Sequence, residues 1–221
     1  MYILGITGSP KGAKSQTRRL MESVLAGAQA TGATTELVDL STLDVKYCTA
    51  CGACYAKGAC VINDDYPPLL AKMLVADGLV FGSPLYFSSC TAQFKTMLDR
   101  MADPIHTQRF LGKYGCAVAT SGGPEFPEVN DYLTNVLVRF GAFSVGSVGC
   151  AAMMPGAMER ALPDATALGG TLAQAIADRP VFADQQAIHA AMHARFKALV
   201  TMSQERFPYE YAYWQQQGWL D

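Results

Sequence analysis

Four cysteines lie close together in the first third of the chain, at a spacing that suits metal coordination. They follow the pattern C-x-x-C-x-x-C-x5-C, at Cys48, Cys51, Cys54 and Cys60. Structural zinc sites usually divide their ligands into two separated pairs, and disulfides are rare in cytosolic proteins. Soft thiolates wound around iron and sulfide better match three cysteines in a row at two-residue spacing. The loop therefore predicts a set of ligands for an iron–sulfur cluster.

A second candidate site is a small, hydroxyl-rich and basic segment, GSPKGAKSQT, at residues 8–17. Backbone N–H groups at a helix start and Ser or Thr hydroxyls donate to anions, so this segment predicts a phosphate site. Its glycine spacing excludes a dinucleotide fingerprint. Its spacing differs by one residue from the nucleoside-triphosphate motif G-x-x-x-x-G-K-[ST]. In addition, no later apolar strand ends in the Asp that would hold magnesium. A flavin monophosphate, which needs no metal, fits best; a plain turn with a serine helix cap is the alternative.

Two further loops carry residues that suit a flat ring system. Residues 84–87 form an extended segment with aromatic side chains that can lie against a ring, although aromatics are more often buried in the core. Residues 121–123 include paired glycines, which allow a close backbone approach to a ligand or simply form a turn. The isolated Cys90, Cys116 and Cys150 are interpreted as small buried hydrophobic residues.

The elements that must position these loops follow from an alternation of short β-rich runs with helix-period segments. Strands are predicted at residues 2–7, 34–40, 78–82, 114–120 and 144–149, and helices at 15–31, 64–76, 89–101 and 125–140. This pattern favours an α/β fold with a doubly wound parallel sheet of order 2-1-3-4-5, whose ligand lies beside strands one and three. Residues 163–221 are predicted to form two or three helices that end in an aromatic tail.

Composition narrows the class of protein. The 221 residues are 50% apolar and 16% charged, enough for one domain with a full core. A net charge of −2 gives no basic footprint for nucleic acid or an anionic membrane. The N-terminus predicts a strand rather than a signal peptide, and no apolar run reaches the roughly 18 residues of a membrane span. We expect a soluble cytoplasmic protein.

The motifs GSPKGAKSQT and GSPLYFSSCTAQFKTMLDR, with the spaced cysteines between them, resemble the NADPH-dependent FMN reductase family of flavodoxin-like proteins, and within it the iron–sulfur flavoproteins. The resemblance covers residues 1–150. It implies a flavodoxin-like, flavin-binding core over residues 1–150. It also implies a homodimer or tetramer. No internal repeat or low-complexity linker follows this core, so residues 151–221 are interpreted as a helical extension with an aromatic tail, within one domain over residues 1–221.

The resemblance also implies roles for particular residues. FMN phosphate contacts are expected from Ser9, Lys11, Ser15, Gln16 and Thr17. Isoalloxazine contacts are expected from Pro84, Leu85, Tyr86 and Phe87, with Ser121, Gly122 and Gly123 near the ring. The four loop cysteines would hold a single 4Fe-4S cluster, although reductases of similar sequence keep several such cysteines as free thiols.

Two functions stay open. In one, an enzyme passes hydride from NAD(P)H to FMN and reduces a quinone, a free flavin or another small acceptor. In the other, an electron carrier relays electrons between the cluster, FMN and a redox protein partner. Neither needs a catalytic acid or base, because the flavin supplies the chemistry. We expect the aromatic tail, RFPYEYAYWQQQGWL, to pack on a neighbouring subunit, with a lid over the flavin as the alternative.

Overall fold

The computed structural model describes residues 1–221, and its centre is a five-stranded parallel sheet. The strands are β1 (Tyr2–Thr7), β2 (Thr34–Asp39), β3 (Gly78–Pro84), β4 (Tyr114–Ser121) and β5 (Phe143–Ala151). Their order is β2-β1-β3-β4-β5, with every neighbouring pair parallel. The predicted flavodoxin-like fold class and strand order are confirmed.

The three central strands are buried along almost their whole length, whereas the edge strands β2 and β5 are only partly buried. Strands covered on both faces read as continuous apolar runs, which explains why β1, β3 and β4 are the clearest strands in the sequence. In the register of the sheet, Thr7 at the end of β1 lies beside Gly82 of β3. The Gly8 N–H then donates to the Gly82 carbonyl at 2.8 Å, which joins the two loops that follow these strands.

Nine helices surround the sheet. They are α1 (Gln16–Gln29), α2 (Ala53–Lys57), α3 (Tyr66–Val75), α4 (Ala92–Asp99), α5 (Ala102–His106), α6 (Phe126–Arg139), α7 (Ala157–Asp178), α8 (Ala183–Met202) and α9 (Pro208–Gln216). The longer ones match the predicted helices, except that α7 begins before the predicted helical region. The prediction missed α2 and α5, because each has only five residues and so shows no helical period.

The helices form one layer on each face of the sheet. Helices α1 and α7 cover one face, and α3, α4 and α6 cover the other, each around its own apolar cluster. Helices α8 and α9 pack outside the second layer around a smaller cluster centred on Trp214. Cys90, Cys116 and Cys150 are buried, as predicted. None of the helices combines the length and the apolarity that crossing a membrane requires.

Helix α7 begins earlier than predicted. Together with α1, it forms the layer that covers one face of the sheet. It starts at Ala157 and carries Pro163 inside it, where the prediction placed the first residue of a helical region. It crosses α1 so closely that a Cβ on Gly169 would lie 1.8 Å from the Val24 carbonyl oxygen, and a Cβ on Gly27 would lie 1.9 Å from that of Thr166. Only glycine permits this approach of the two backbones.

The α1–α7 crossing predicts opposite effects for two adjacent glycines of α7. Gly169→Ala places a methyl group into the α1 backbone and should lower the free energy of unfolding by roughly 1–3 kcal/mol. Gly170→Ala meets nothing within 4 Å and should raise it by roughly 0.5–1 kcal/mol, because alanine favours the helix. Urea unfolding of both variants checks this; equal stabilities would show that the helices do not meet at Gly169.

Candidate active site and cysteine loop

A cavity of about 380 Å³ opens where the carboxyl ends of β1, β3 and β4 meet. All three predicted loops contribute to it, although they are far apart in sequence. Nine of the twelve predicted cofactor residues line the cavity: Ser9, Lys11, Gln16, Thr17, Pro84, Leu85, Tyr86, Ser121 and Gly122. Thr120, Ala152 and Met153 complete the lining. The predicted Ser15, Phe87 and Gly123 do not line it.

One end of the cavity suits an anion. Lys11 is the only charged residue in the lining. The start of α1 borders the same end, and its first turn contains no acidic residue. The N–H groups of a helix start carry partial positive charge, so a phosphate is stabilised there. The hydroxyls of Thr17 and Thr120 lie 2.6 Å apart and hold α1 against the end of β4.

Ser15 has a different environment from the other serine of this loop. Its hydroxyl oxygen accepts the Arg18 N–H at 3.1 Å and so forms the N-cap of α1. Ser9 is also buried, but it lines the cavity. The sequence does not separate these two serines, because both precede a helix start within the same hydroxyl-rich segment.

The anion end of the cavity is tied to helix α4. The Thr91 hydroxyl caps α4 and donates to the Gly8 carbonyl at 2.6 Å. A Cβ at position 8 would lie 2.7 Å from the Cβ of Phe94, so glycine is required where β1 passes the start of this helix. The β1 loop therefore has its position fixed by both β3 and α4.

The loop after β3 forms a tight turn beside the cavity. Tyr86 and Ser89 exchange backbone hydrogen bonds of 2.9 and 3.2 Å across it. Phe87 and Ser88 between them adopt left-handed backbone conformations, with φ of 48° and 59°, which are strained for residues other than glycine. Phe87 at the turn is fully exposed. Only Pro84, Leu85 and Tyr86 of the four predicted ring contacts therefore line the cavity.

The loops after β4 and β5 form the remaining wall. The Ser121 hydroxyl donates to the Gly123 carbonyl and closes the first of them into a turn. The Ala152 N–H donates to the Ser121 carbonyl at 2.8 Å, which holds the second loop beside it. Met153 in this second loop is largely exposed. Sequence reasoning missed Ala152 and Met153, since their loop is apolar and carries no polar signal.

The four predicted cysteine ligands line a second, smaller cavity of about 30 Å³. Cys48 and Cys51 are exposed, while Cys54, on α2, and Cys60 are half-buried. No three His, Cys, Asp or Glu side chains in the chain are grouped closely enough to hold a single metal ion. The thiols are thus gathered around a common space without forming a compact mononuclear site.

Arg100 is the cationic residue beside this cavity. Its guanidinium is paired with Asp64 at 2.7 Å, and both side chains are almost completely buried. It also donates to the Lys46 carbonyl at 2.8 Å and to Cys60 Sγ at 3.1 Å. Its Nε is buried with no hydrogen-bond partner. Four thiols, a buried positive charge and an unsatisfied donor together fit the binding of an anionic iron–sulfur group.

The surroundings shift the acidity of two of these cysteines in opposite directions. The backbone N–H of Ala53 and the Thr49 hydroxyl lower the pKa of the Cys51 thiol. Burial raises the pKa of Cys54 to about 11. Burial also raises the pKa of Asp64, but hydrogen bonds, led by those from Arg100, outweigh burial and lower its pKa overall. The carboxylate beside Arg100 is therefore ionised.

Helix α4 separates the two cavities. At its N-terminal end, Thr91 donates a hydrogen bond to the loop after β1. At its C-terminal end, Arg100 donates one to Cys60. Eight helical residues span about 12 Å along the axis. The two contacts are therefore one helix length apart. Residues 40–47, which lead from β2 toward the cysteine loop, line a groove with α4.

The aromatic tail packs on its own chain. Trp214 on α9 is fully buried and donates to the His106 carbonyl at 3.0 Å. The ring of Tyr55, next to Cys54, lies 4.9 Å from His106 and 4.5 Å from Phe207. The prediction that the tail packs on a neighbouring subunit rested on its need for burial, which α2, α5 and α8 meet within the chain. The reason given for packing on a neighbour therefore does not hold for Trp214.

Comparisons with known proteins agree with the predicted resemblance. The model of the family described as NADPH-dependent FMN reductase matches residues 1–157. An iron–sulfur flavoprotein from Archaeoglobus fulgidus is 34% identical over 177 residues, which cover 79% of this chain and 80% of that protein. Another, from Methanosarcina thermophila, is 37% identical over 125 residues, covering 55% and 64%. The solved apo structure of an NADH:FMN oxidoreductase shares 25% identity with a TM-score of 0.57, covering 76% and 88%.

Proposed function

The chain belongs to the NADPH-dependent FMN reductase family, and we propose that it binds FMN in the larger cavity and passes electrons from NAD(P)H to a small acceptor such as a quinone or a flavin. It is an FMN-dependent oxidoreductase by family. The observation that carries the specific proposal is the convergence of three separate loops on one cavity with a single lysine and a helix start at one end.

Each part of the cavity has a proposed role. Ser9, Lys11, Thr17 and the first N–H groups of α1 would hold the phosphate, whose negative charge suits this end of the cavity. Pro84, Leu85 and Tyr86 would contact the ring system, and Ser121 and Gly122 would lie near it, because all five line the cavity. When bound, FMN supplies one- and two-electron redox chemistry, while the protein sets its position and potential.

The two serines of the β1 loop predict different losses. Ser9→Ala removes a proposed donor to an ionic phosphate, worth about 1.5–3 kcal/mol, and should weaken FMN binding about 10- to 150-fold. Ser15→Ala removes the α1 cap and should lower the free energy of unfolding by about 1 kcal/mol with a smaller effect on FMN. Fluorescence titration of FMN into apoprotein and urea unfolding separate the two effects. Full FMN affinity in Ser9→Ala would place the phosphate elsewhere.

The reductase proposal is tested by mixing anaerobic holoprotein with NADPH, and separately with NADH. We expect the flavin absorbance to bleach within seconds with at least one of them and to recover on adding a quinone. Dithionite is the control for a reducible flavin. A flavin that dithionite bleaches but neither nicotinamide does would favour the alternative function, an electron carrier that serves a redox protein partner.

We further propose that Cys48, Cys51, Cys54 and Cys60 hold one 4Fe-4S cluster. The support is their shared cavity, the adjacent Arg100 and the similarity to proteins named iron–sulfur flavoproteins. Such a cluster would lie at the far end of α4 from the flavin. It would give this chain a one-electron centre beside a flavin that exchanges one or two electrons.

Cluster loading predicts a clear metal analysis. Protein made and purified without oxygen should contain about four irons and four sulfides per chain beside one FMN. Cys51→Ser should lose the cluster and keep FMN, because the phosphate loop is a separate element. Cys150→Ala, at a buried cysteine outside the loop, should keep both. Stoichiometric zinc, or no metal after anaerobic reconstitution, would reduce the proposal to a plain flavin reductase.

We also propose that the chain assembles as a homodimer or tetramer that covers the open side of the FMN cavity. The support is the exposure of Met153, which lines the cavity, and of Phe87, which follows the lining residue Tyr86, together with the family resemblance. Exposed apolar groups clustered at the rim of a cavity are typical of contact surfaces.

A further inference from the structure

Arg100 is a buried cation beside the cysteine cavity, and its partners within the fold hold its guanidinium in place. A buried guanidinium is costly unless it is paired, and Asp64 supplies the paired charge. The ring of Tyr66 lies 4.5 Å from the guanidinium carbon and covers it. The Lys46 carbonyl accepts a further N–H. With these partners the guanidinium has one orientation, and in that orientation Nη2 donates to Cys60 Sγ at 3.1 Å.

The remaining donor of Arg100 has no partner. Nε is buried and makes no hydrogen bond, although the residue lines the cysteine cavity. Buried donors are normally satisfied, so an unsatisfied one beside four thiols points to an acceptor that the cavity itself would hold. The sulfur atoms of an iron–sulfur cluster are acceptors of this kind.

We propose that Arg100 is a positioning residue that raises the reduction potential of the cluster, through its N–H bond to Cys60 Sγ and its buried positive charge. The inference rests on the proposed cluster. Reduction moves one electron to the cluster, which gains one negative charge. A nearby cation and N–H bonds to ligand sulfur stabilise the more negative form, and so raise the potential. Asp64 acts in the opposite direction, because its carboxylate disfavours added negative charge.

The test compares two variants that differ only at Arg100. Asp64→Asn removes the carboxylate charge and keeps Arg100. The double variant Arg100→Met with Asp64→Asn removes the guanidinium as well, without leaving a buried charge unpaired. Each is purified without oxygen, analysed for iron and sulfide, and titrated with dithionite while the potentials of cluster and flavin are followed by absorbance and electron paramagnetic resonance.

The reduction potential of the cluster should be at least about 59 mV lower in the double variant than in Asp64→Asn. For one electron, this difference corresponds to a tenfold change in the ratio of oxidised to reduced cluster. The flavin potential should be the same in both, since α4 separates it from Arg100. Equal cluster potentials would overturn the inference. An iron-free wild type would instead overturn the proposed cluster and this inference with it.

Arg100→Lys is the second variant, for the case in which the double variant takes up no iron. Lysine keeps the charge but lacks the planar fork that reaches Asp64 and Cys60 together. Its cluster potential should fall below that of the wild type while its iron content is retained. A potential equal to that of the wild type would show that the bond to Cys60 Sγ does not tune the cluster.

Discussion

Helix α4 is the constraint on which the geometry of both sites depends. Its N-terminal end is bonded to the loop after β1, and its C-terminal end is bonded to the cysteine loop. The Thr91 hydroxyl holds the Gly8 carbonyl in the loop after β1, and Arg100 holds Cys60 in the cysteine loop. A helix of fixed rise spans about 12 Å between these two contacts. The separation is therefore a property of the fold rather than of a flexible loop. An FMN and a cluster bound at the two sites, as proposed, would be held at a fixed separation.

The cysteine loop also depends on residues far along the chain. The family match ends at residue 157, yet α9 packs against α2, which carries Cys54. A Cβ on Gly58, at the end of α2, would lie 2.3 Å from the Tyr209 ring, so the contact between these elements is close. The C-terminal helices thus support the loop that the cluster proposal requires. Trp214 and Phe207 of this tail are buried within the chain.

The sequence predicts the sheet and most of the larger cavity for one physical reason. Parallel strands end at the same edge, so any loops identified after β1, β3 and β4 must meet there. The sequence pattern does not determine whether a residue in a turn faces the cavity or the solvent. Phe87 lies exposed at its turn, and Ser15 caps a helix, although both share their segments with cavity residues. Ala152 and Met153 give no polar signal, and hydrophobicity showed that the tail needs burial without showing what buries it.

The most direct test of a flavin and a cluster in one chain is to count electrons. Anaerobically purified protein with one FMN per chain is titrated with dithionite to full reduction, and the equivalents consumed are measured against protein concentration. One FMN accepts two electrons and one four-iron cluster accepts one, so this account predicts about three per chain. Consumption of two, with the whole absorbance change assigned to flavin, would contradict it.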